Sequence, residues 1–370
     1  MERPSSEGSG GKTFPALPSS TWMAREIHEQ PAVLAQTLSS LRRRRPELRR
    51  LVAGTRSVLF FGRGSSRNAA VYGCYLAEAH AGVPSRIEAP SLATRYRARL
   101  DLAGALAVVI SQSGATQEML EAAQWASACG ARTLAITNDG ASSLAEVADL
   151  ALVTAAGPER AVPATKTYLS ALGALLVLVC ALSPEDGALG AWVPRLPGLV
   201  ADLLTPALSE RAMGVAAQLQ GVAAVVVCGR GYTYGSALEI SLKLAEAARL
   251  AAFGVSRADF QHGPLAMLSP RVATVLVAPS RGPVLEEMGR FAQVAIEAGS
   301  RTLLLGGDAT LSRTCAGHLP GPDVPEALSP FFLAPAGQLL AEALARRLGL
   351  DPDRPAGLHK VTQTDAPTGR

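Results

Sequence analysis

The stretch ALAVVISQSGATQEML (residues 105–120) joins an apolar run to a helical pattern through a short polar turn. Because residues 105–110 are apolar at every position, they predict a parallel strand that is covered on both faces. Met119 and Ala123 then fall at helical spacing, and Glu118 lies in the first helical turn, where the helix dipole favours an acid. The stretch therefore predicts one strand–turn–helix unit of a parallel sheet.

The turn of this unit, Ser111 to Thr116, contains three hydroxyl side chains and a glycine. Backbone N–H groups at a helix N-terminus, the helix dipole and hydroxyl donors together favour the binding of a phosphate group. The same residue types are also common in an ordinary turn in which Ser or Thr caps the helix. The turn alone leaves both interpretations open.

Length and composition limit the possible classes of protein. A chain of 370 residues with 48% hydrophobic and 18% charged residues suits an α/β protein of two domains. Because no run of about 18 apolar residues occurs, we expect no membrane span. The five cysteines are scattered without paired spacing, which is typical of reduced thiols in a cytoplasmic protein and not of disulfides or a zinc site. A net charge of +4 gives no reason to expect a nucleic-acid partner.

Further strands and helices alternate on both sides of the opening stretch. Apolar strands are predicted at residues 57–61, 131–138 and 149–153. Helical patterns of about 10–15 residues separate such strands in doubly wound folds. The alternation predicts a doubly wound parallel sheet flanked by helices.

A second turn rich in glycine and serine follows the strand at residues 57–61. Gly62 and Gly64 resemble part of a dinucleotide fingerprint, but Arg67 stands where its third glycine is required. We therefore expect Ser65 and Ser66 to face a different ligand, with the glycines allowing a tight backbone turn.

The second half of the chain repeats the first. VVVCGRG (225–231) matches LFFGRG (59–64) at an offset of 167 between the glycines. RTLLL (301–305) matches RTLAI (132–136) at an offset of 169. Two matches at nearly one offset predict a duplicated domain.

The two copies differ where the first has its polar turn. The second copy reads VAPS at residues 277–280, so we expect only the first copy to keep an anion-binding turn. The predicted organisation is a disordered leader (1–20), a first domain with an N-terminal helix (21–190), a second domain (191–350) and a C-terminal tail (351–370).

Three charged features each allow a functional and a structural interpretation. The arginine run Arg42–Arg45 is either a basic patch or a solvated helix end, and the lack of interleaved aromatic residues favours the helix end. Lys243, Glu246 and Arg249 recur at helical spacing, which by itself is typical of an exposed, ion-paired helix face. His262 precedes Gly-Pro and is therefore predicted on a turn, where a lone histidine is either a functional or a structural residue.

Taken together, these motifs resemble the sugar isomerase (SIS) domain family, and its two-domain members in particular, from Trp22 to Thr364. The chain is similar to the isomerase half of glutamine–fructose-6-phosphate amidotransferases. The matching motifs, in order, are Trp22–Ile27, Ser111–Gly114, Thr165–Lys166, Lys243–Glu246, His262–Leu265 and Leu358–Lys360. Gly64–Ser66 and the ending Lys360–Thr364 look more like the stand-alone glucosamine-6-phosphate deaminases of the family.

The resemblance implies a fold and an activity. The fold would be two tandem SIS domains, each a flavodoxin-like doubly wound sheet. The activity would be conversion of glucosamine 6-phosphate to fructose 6-phosphate and ammonia, with a fructosamine-6-phosphate deglycase or a galactosamine-6-phosphate enzyme as alternatives. A non-catalytic sugar-phosphate sensor is the alternative from another class. Because the first cysteine is Cys74 and a leader precedes Thr21, we expect no glutamine-dependent synthesis.

The resemblance also implies roles for particular residues and no metal or cofactor. Glu246 would move a proton between C1 and C2, His262 would open the sugar ring across the interface of a homodimer, and the tail would close the site with Lys360 near C2. The implied ligands of the sugar phosphate are Ser65, Ser66, Ser111, Gln112, Ser113, Thr116, Val162, Lys243 and His359.

Overall fold

The computed structural model describes residues 20–360. The predicted leader, apart from Ser20, and the part of the predicted tail that follows Lys360 lie outside the described residues.

Ten parallel strands form two five-stranded sheets. The first sheet contains β1 (Ser57–Phe61), β2 (Ser85–Ile87), β3 (Ala105–Ile110), β4 (Arg132–Thr137) and β5 (Leu150–Val153), in the order β2-β1-β3-β4-β5. The second contains β6 (Ala224–Gly229), β7 (Ala252–Ser256), β8 (Val272–Ala278), β9 (Thr302–Gly306) and β10 (Gly317–Leu319), in the order β10-β9-β8-β6-β7. Both orders are the doubly wound flavodoxin-like order, as the sequence predicts.

The internal duplication extends to the register of the strands. Leu59 pairs with Ala107 between β1 and β3, and Val226 pairs with Thr274 between β6 and β8. Each residue of the second pair lies 167 positions after its counterpart in the first. The two halves therefore share one strand arrangement as well as one sequence pattern.

Fifteen α-helices and four short 3₁₀ segments surround the sheets in the described residues. Those of the first half are α1 (Trp22–His28), α2 (Gln30–Arg43), α3 (Arg45–Val52), α4 (Ser65–Ala81), α5 (Ser91–Thr94), α6 (Gln117–Ala128), α7 (Ser143–Val147) and α8 (Lys166–Leu182). Those of the second half are α9 (Leu196–Leu203), α10 (Pro206–Ala217), α11 (Thr233–Ala248), α12 (Arg257–Phe260), α13 (Leu285–Glu297), α14 (Ala309–Thr314) and α15 (Pro330–Arg347). The 3₁₀ segments are Pro184–Asp186, Gly190–Arg195, Pro264–Met267 and Glu326–Leu328.

Helices α8 and α15 are the most buried helices of the fold and carry few charged side chains. Their apolar residues join one buried cluster with residues of both sheets, including Val108 and Val275. Within residues 20–360, no helix is long and apolar enough to cross a membrane.

The arginine run lies at the junction of α2 and α3. Arg44 pairs with Glu47, and Arg45 and Arg49 both pair with Asp186. The run is therefore a helix end whose charges are partly neutralised within the chain, in agreement with the structural interpretation.

Helices α4 and α11 hold the two halves together. Each is the helix that follows the first strand of its copy, and the two pack directly against each other. Gly235 of α11 lies so close to α4 that a Cβ atom on it would come within 2.7 Å of the carbonyl oxygen of Asn68. This close approach brings polar residues of both helices to one place.

The helix contact at Gly235 gives a first prediction. Gly235→Ala forces α4 and α11 apart because the obstructing atom belongs to the backbone, and overpacking of this kind costs about 1–3 kcal/mol. We expect the variant to unfold several degrees below the parent in a thermal melt.

The matched control is Gly289→Ala in α13, where no heavy atom of the described residues would lie within 4 Å of the new Cβ. Because glycine disfavours a helix interior relative to alanine, the control should melt at the parent temperature or slightly above it. Equal melting temperatures for both variants would show that the Gly235 contact does not limit helix packing.

Candidate active site

The turn between β3 and α6 is built around Gly114. Its φ angle is +60°, and a Cβ atom there would lie 2.1 Å from the hydroxyl oxygen of Ser142, so only glycine fits. Thr116 is the N-cap residue of α6, yet within the described residues its hydroxyl makes no capping hydrogen bond. The simple capping interpretation therefore does not account for this hydroxyl, which lines an open pocket.

Two adjoining cavities lie at the carboxyl ends of β1 and β3. The first, which we call the turn pocket, has a volume of about 330 Å³ and is lined by Arg63, Gly64, Ser66, Ile110, Ser111, Gln112, Ser113, Thr116, Met119 and Lys360. The second, which we call the junction cleft, has a volume of about 170 Å³ and is lined by Arg63, Ser65, Ser66, Gln112, Glu159, Val162, Ala164, Lys243, Glu246, Leu358, His359 and Lys360. Ligands of doubly wound proteins bind at this end of the strands.

The structure thus brings together eleven of the twelve residues that the sequence singles out. Ser111, Ser113 and Thr116 line the turn pocket, and Ser66, Gln112 and Lys360 line both cavities. The other five line the junction cleft, and they are Ser65, Val162, Lys243, Glu246 and His359.

A buried row of charges on α11 forms one wall of the junction cleft. The Lys243 side chain is fully buried, and its Nζ lies 2.5 Å from Glu246 Oε2 and 3.4 Å from Glu239 Oε1. Spacing alone predicts an exposed, ion-paired face. The ion pair is confirmed, but the exposure is wrong for Lys243, which is fully buried, and for Glu246, which is partly buried. Of the three charged residues in this pattern, Arg249, the left-handed residue that ends the helix, is exposed.

Residues of α4 complete this charged wall. Ser65 donates its hydroxyl to Glu239 over 2.9 Å and accepts a hydrogen bond from Lys243 Nζ over 3.3 Å. Asn68 donates from Nδ2 to the other Glu239 oxygen over 2.9 Å. Burial disfavours the ammonium form of Lys243, but Glu239 and Glu246 outweigh it and raise the pKa of Lys243 above 10.5. Lys243 therefore remains a cation beside Glu246.

Lys360 enters the opposite wall of the junction cleft from the C-terminal segment. Its Nζ donates to Glu159 Oε2 and to the carbonyl oxygen of Ala161, each over 2.7 Å. Glu159 also accepts hydrogen bonds from the backbone of Thr165 and Thr167 at the start of α8. Burial alone would raise the pKa of Glu159, but Lys360 and these hydrogen bonds lower it below its ordinary value of 4.5.

The C-terminal segment is held by the first helix of the chain. The backbone N–H groups of Trp22 and Met23 each donate to the Asp353 carboxylate over 2.8 Å. Glu26 accepts from the backbone of Arg160 and Ala161, next to the Lys360 contact. Helix α1 thereby fixes both the tail and the loop that receives it.

His262 is the sequence-predicted residue that this chain does not bring to the site. It lies on the predicted turn, between α12 and the segment Pro264–Met267, and its side chain is exposed. It is absent from the described residues that line the turn pocket and the junction cleft.

Sequence reasoning missed Glu239, Asn68 and Glu159 as site residues. Glu239 carries a local signal, since it lies four residues before Lys243 and thus on the same helix face. Asn68 and Glu159 have no such signal, because their partners Glu239 and Lys360 lie 171 and 201 positions away in the chain.

In the second copy, a glutamate carboxylate lies beside the turns that follow β6 and β8. This residue is Glu326, which lies 167 positions after Glu159. A Cβ atom on Gly231 would lie 3.1 Å from one oxygen of Glu326, and a Cβ on Gly282 would lie 2.2 Å from the other. In the first copy, the turn after β3 borders the turn pocket.

Fold and site together define an α/β protein of two duplicated doubly wound halves, with a cleft that residues of both halves line. The sequence matches the family model described as SIS domain over residues 51–181 and 218–302, which is more than half of the chain. The chain belongs to the SIS domain family.

Individual relatives agree with this assignment. The glutamine–fructose-6-phosphate aminotransferase (isomerizing) of Pyrococcus horikoshii is 33% identical over 344 residues, which cover 92% of this chain and 57% of that protein. The chain thus spans a little over half the length of this curated relative.

Solved structures share the fold over almost the whole chain. The C-terminal domain of glucosamine-fructose-6-phosphate aminotransferase from Francisella tularensis superposes with a TM-score of 0.80 at 24% identity, covering 94% of this chain and 100% of that one. Glucosamine-6-phosphate deaminase from Thermotoga maritima superposes with a TM-score of 0.76 at 24% identity, covering 93% and 100%. At this level of identity the two structures show the fold alone.

The ion pair of Lys360 and Glu159 gives a pH-dependent prediction. Because the pKa of Glu159 is lowered in the folded chain, its charge stabilises the fold above pH 4.5, and this contribution is lost as the pH falls through the lowered value. Glu159→Gln should therefore reduce the free energy of unfolding by about 1–3 kcal/mol at pH 7. The difference from the parent should shrink below pH 4.5.

Urea denaturation at several pH values measures this difference. Glu146→Gln, at an exposed glutamate of α7, is the control and should follow the parent at every pH. A Glu159→Gln deficit that stays constant from pH 7 to acid would contradict the assigned charge of Glu159.

Proposed function

We propose that the chain is an amino-sugar-phosphate isomerase and deaminase that converts glucosamine 6-phosphate to fructose 6-phosphate and ammonia. The observation that carries the proposal is the position of Glu246. Its carboxylate is held by the buried Lys243 in the same cleft as the Lys360 amine, next to the turn pocket. The isomerizing aminotransferase of Pyrococcus horikoshii, 33% identical to this chain, supports the same class of reaction.

In this proposal the phosphate binds in the turn pocket. Ser111, Ser113 and Thr116 supply hydroxyl donors, and the N-terminus of α6 supplies a favourable dipole. Gln112 and Ser66 line both cavities and would contact the part of the sugar that joins phosphate and reacting carbons. The sugar then extends into the junction cleft, where Ser65, Val162 and His359 are available to it.

Glu246 would carry the proton of the isomerisation. In the open-chain sugar it takes the proton from C2 and returns one to C1, while one proton of the C2 amine passes to O1. The C1 aldehyde thereby becomes a hydroxymethyl group, and the C2 amine becomes an imine. A carboxylate on one face of the sugar suits both transfers. Water then adds to the C2 imine, and ammonia leaves to give the C2 ketone of fructose 6-phosphate.

Lys360 would act on the C2 group from the opposite wall. Its ammonium is held by Glu159, whose lowered pKa keeps the carboxylate charged. In this position the Lys360 side chain would assist charge changes at the C2 group. A covalent imine with C2 would require the neutral amine.

We further propose that the enzyme is a cytoplasmic homodimer in which His262 reaches the site of the partner and opens the sugar ring. His262 is exposed on its own chain, where a partner can contact it. All five cysteines are free thiols, which fits a reducing compartment.

The direct test is incubation of the protein with glucosamine 6-phosphate, with assays for ammonia and fructose 6-phosphate. Release of both in equal amounts supports the proposal. Turnover only of an N-substituted fructosamine 6-phosphate would instead assign a deglycase, and turnover only of galactosamine 6-phosphate would assign the other epimer.

The variant Glu246→Gln separates an enzyme from a sensor. Loss of the proton carrier should lower turnover by about 10²–10⁴-fold, since general acid–base groups contribute that much. Affinity for fructose 6-phosphate, measured by calorimetry, should be retained.

The control is Glu286→Gln, which changes an exposed, ion-paired glutamate on α13. Its turnover should equal that of the parent. A parent that binds fructose 6-phosphate but turns over none of the substrates above would identify a sensor.

Mixing two inactive variants tests the proposed sharing of His262. In a dimer of one Glu246→Gln chain and one His262→Ala chain, one site has both residues intact if His262 acts across the interface. Random mixing should then restore about a quarter of the parent activity, because half of the dimers are mixed and each has one intact site. No recovery in mixtures that do exchange subunits would place His262 in its own chain's site.

A further inference from the structure

We propose that Arg63 is a phosphate-recognition residue that Glu118 holds in place until the ligand arrives. The inference rests on the proposed function and deepens it, because it assigns a specificity residue outside the hydroxyl-rich turn. Arg63 lies just after β1, before the glycine that precedes α4.

The position of Arg63 is the first argument. It lines both the turn pocket and the junction cleft, a property that it shares with Ser66, Gln112 and Lys360. A side chain at this boundary can reach a group that enters either cavity. Its guanidinium also presents paired donors, which match two oxygens of a phosphate.

The second argument is the exposure of the Arg63 side chain, compared with the other cations that line the two cavities. Lys243 is fully buried between two acids, and Lys360 is bound to a fully buried one. The Arg63 side chain is half exposed, and Glu118 accepts its two hydrogen bonds over 2.8 and 2.6 Å. Because half of the Arg63 side chain is exposed, its guanidinium can reach a ligand while it stays next to Glu118.

The place of Glu118 is the third argument. It lies in the first turn of α6, the helix whose N-terminus faces the turn pocket, and its side chain is only 8% exposed. An unpaired carboxylate there would repel a phosphate dianion. Arg63 neutralises this carboxylate in the free protein. In the complex, the guanidinium contacts both the Glu118 carboxylate and the phosphate.

The two partners therefore predict opposite effects on binding. Arg63→Ala should weaken the binding of fructose 6-phosphate about tenfold, as expected for loss of a charge-assisted hydrogen bond. Glu118→Gln should strengthen it, because the substitution releases Arg63 and removes a negative charge. A merely structural ion pair would give weaker binding and a lower melting temperature in both variants.

Calorimetry with fructose 6-phosphate and with inorganic phosphate, together with thermal melts, tests the proposal. Arg67→Ala, at an exposed arginine in the first turn of α4, is the matched control and should bind as the parent does. Parent-like binding by Arg63→Ala, or equal weakening by Arg63→Ala and Glu118→Gln, would overturn the proposal.

The two probes separate this proposal from the proposed function. If the parent binds inorganic phosphate but not fructose 6-phosphate, the proposed function fails, and weaker phosphate binding by Arg63→Ala still supports the role of Arg63. If the parent binds neither probe, both proposals fail.

Discussion

The contact between α4 and α11 is the constraint on which the site depends. Gly235 allows the helices to approach closely, and the buried pair of Glu239 and Lys243 then meets Ser65 and Asn68 across the contact. Buried charges are costly unless every partner is in place. The same interactions that satisfy these charges therefore fix the two halves in one relative position and aim Glu246 into the cleft.

Duplication followed by divergence explains why the two halves share a fold but contribute different residues to the junction cleft. Both halves keep the strand order and the register of their central strands. In the first, the turn after β3 borders an open pocket. In the second, the Glu326 carboxylate lies beside the turns after β6 and β8, and α11 carries Lys243 and Glu246, which line the junction cleft. Side chains from both halves therefore line the same cleft.

The sequence predicts the sheets well because the apolar residues that mark each strand lie within that strand. Ala105–Ile110 is apolar at every position since both faces of a central parallel strand are covered, and the structure places β3 at those residues. The burial of Lys243 is not local, because it depends on Ser65, which lies 178 positions away. The contact of Glu159 with Lys360 cannot be predicted from the sequence for the same reason, since the two residues meet only in the folded chain. The resemblance to the family predicts Lys243 and Glu246 as site residues, whereas their spacing alone predicts an exposed helix face.

A crystal structure of the protein with bound fructose 6-phosphate is the most direct test of a single site composed of both halves. The phosphate should lie in the turn pocket on the hydroxyls of Ser111, Ser113 and Thr116. Carbons C1 and C2 should lie in the junction cleft, in contact with the Glu246 carboxylate. A phosphate bound beside Glu326 in the second half, or a sugar whose C1 and C2 face away from Glu246, would contradict this arrangement.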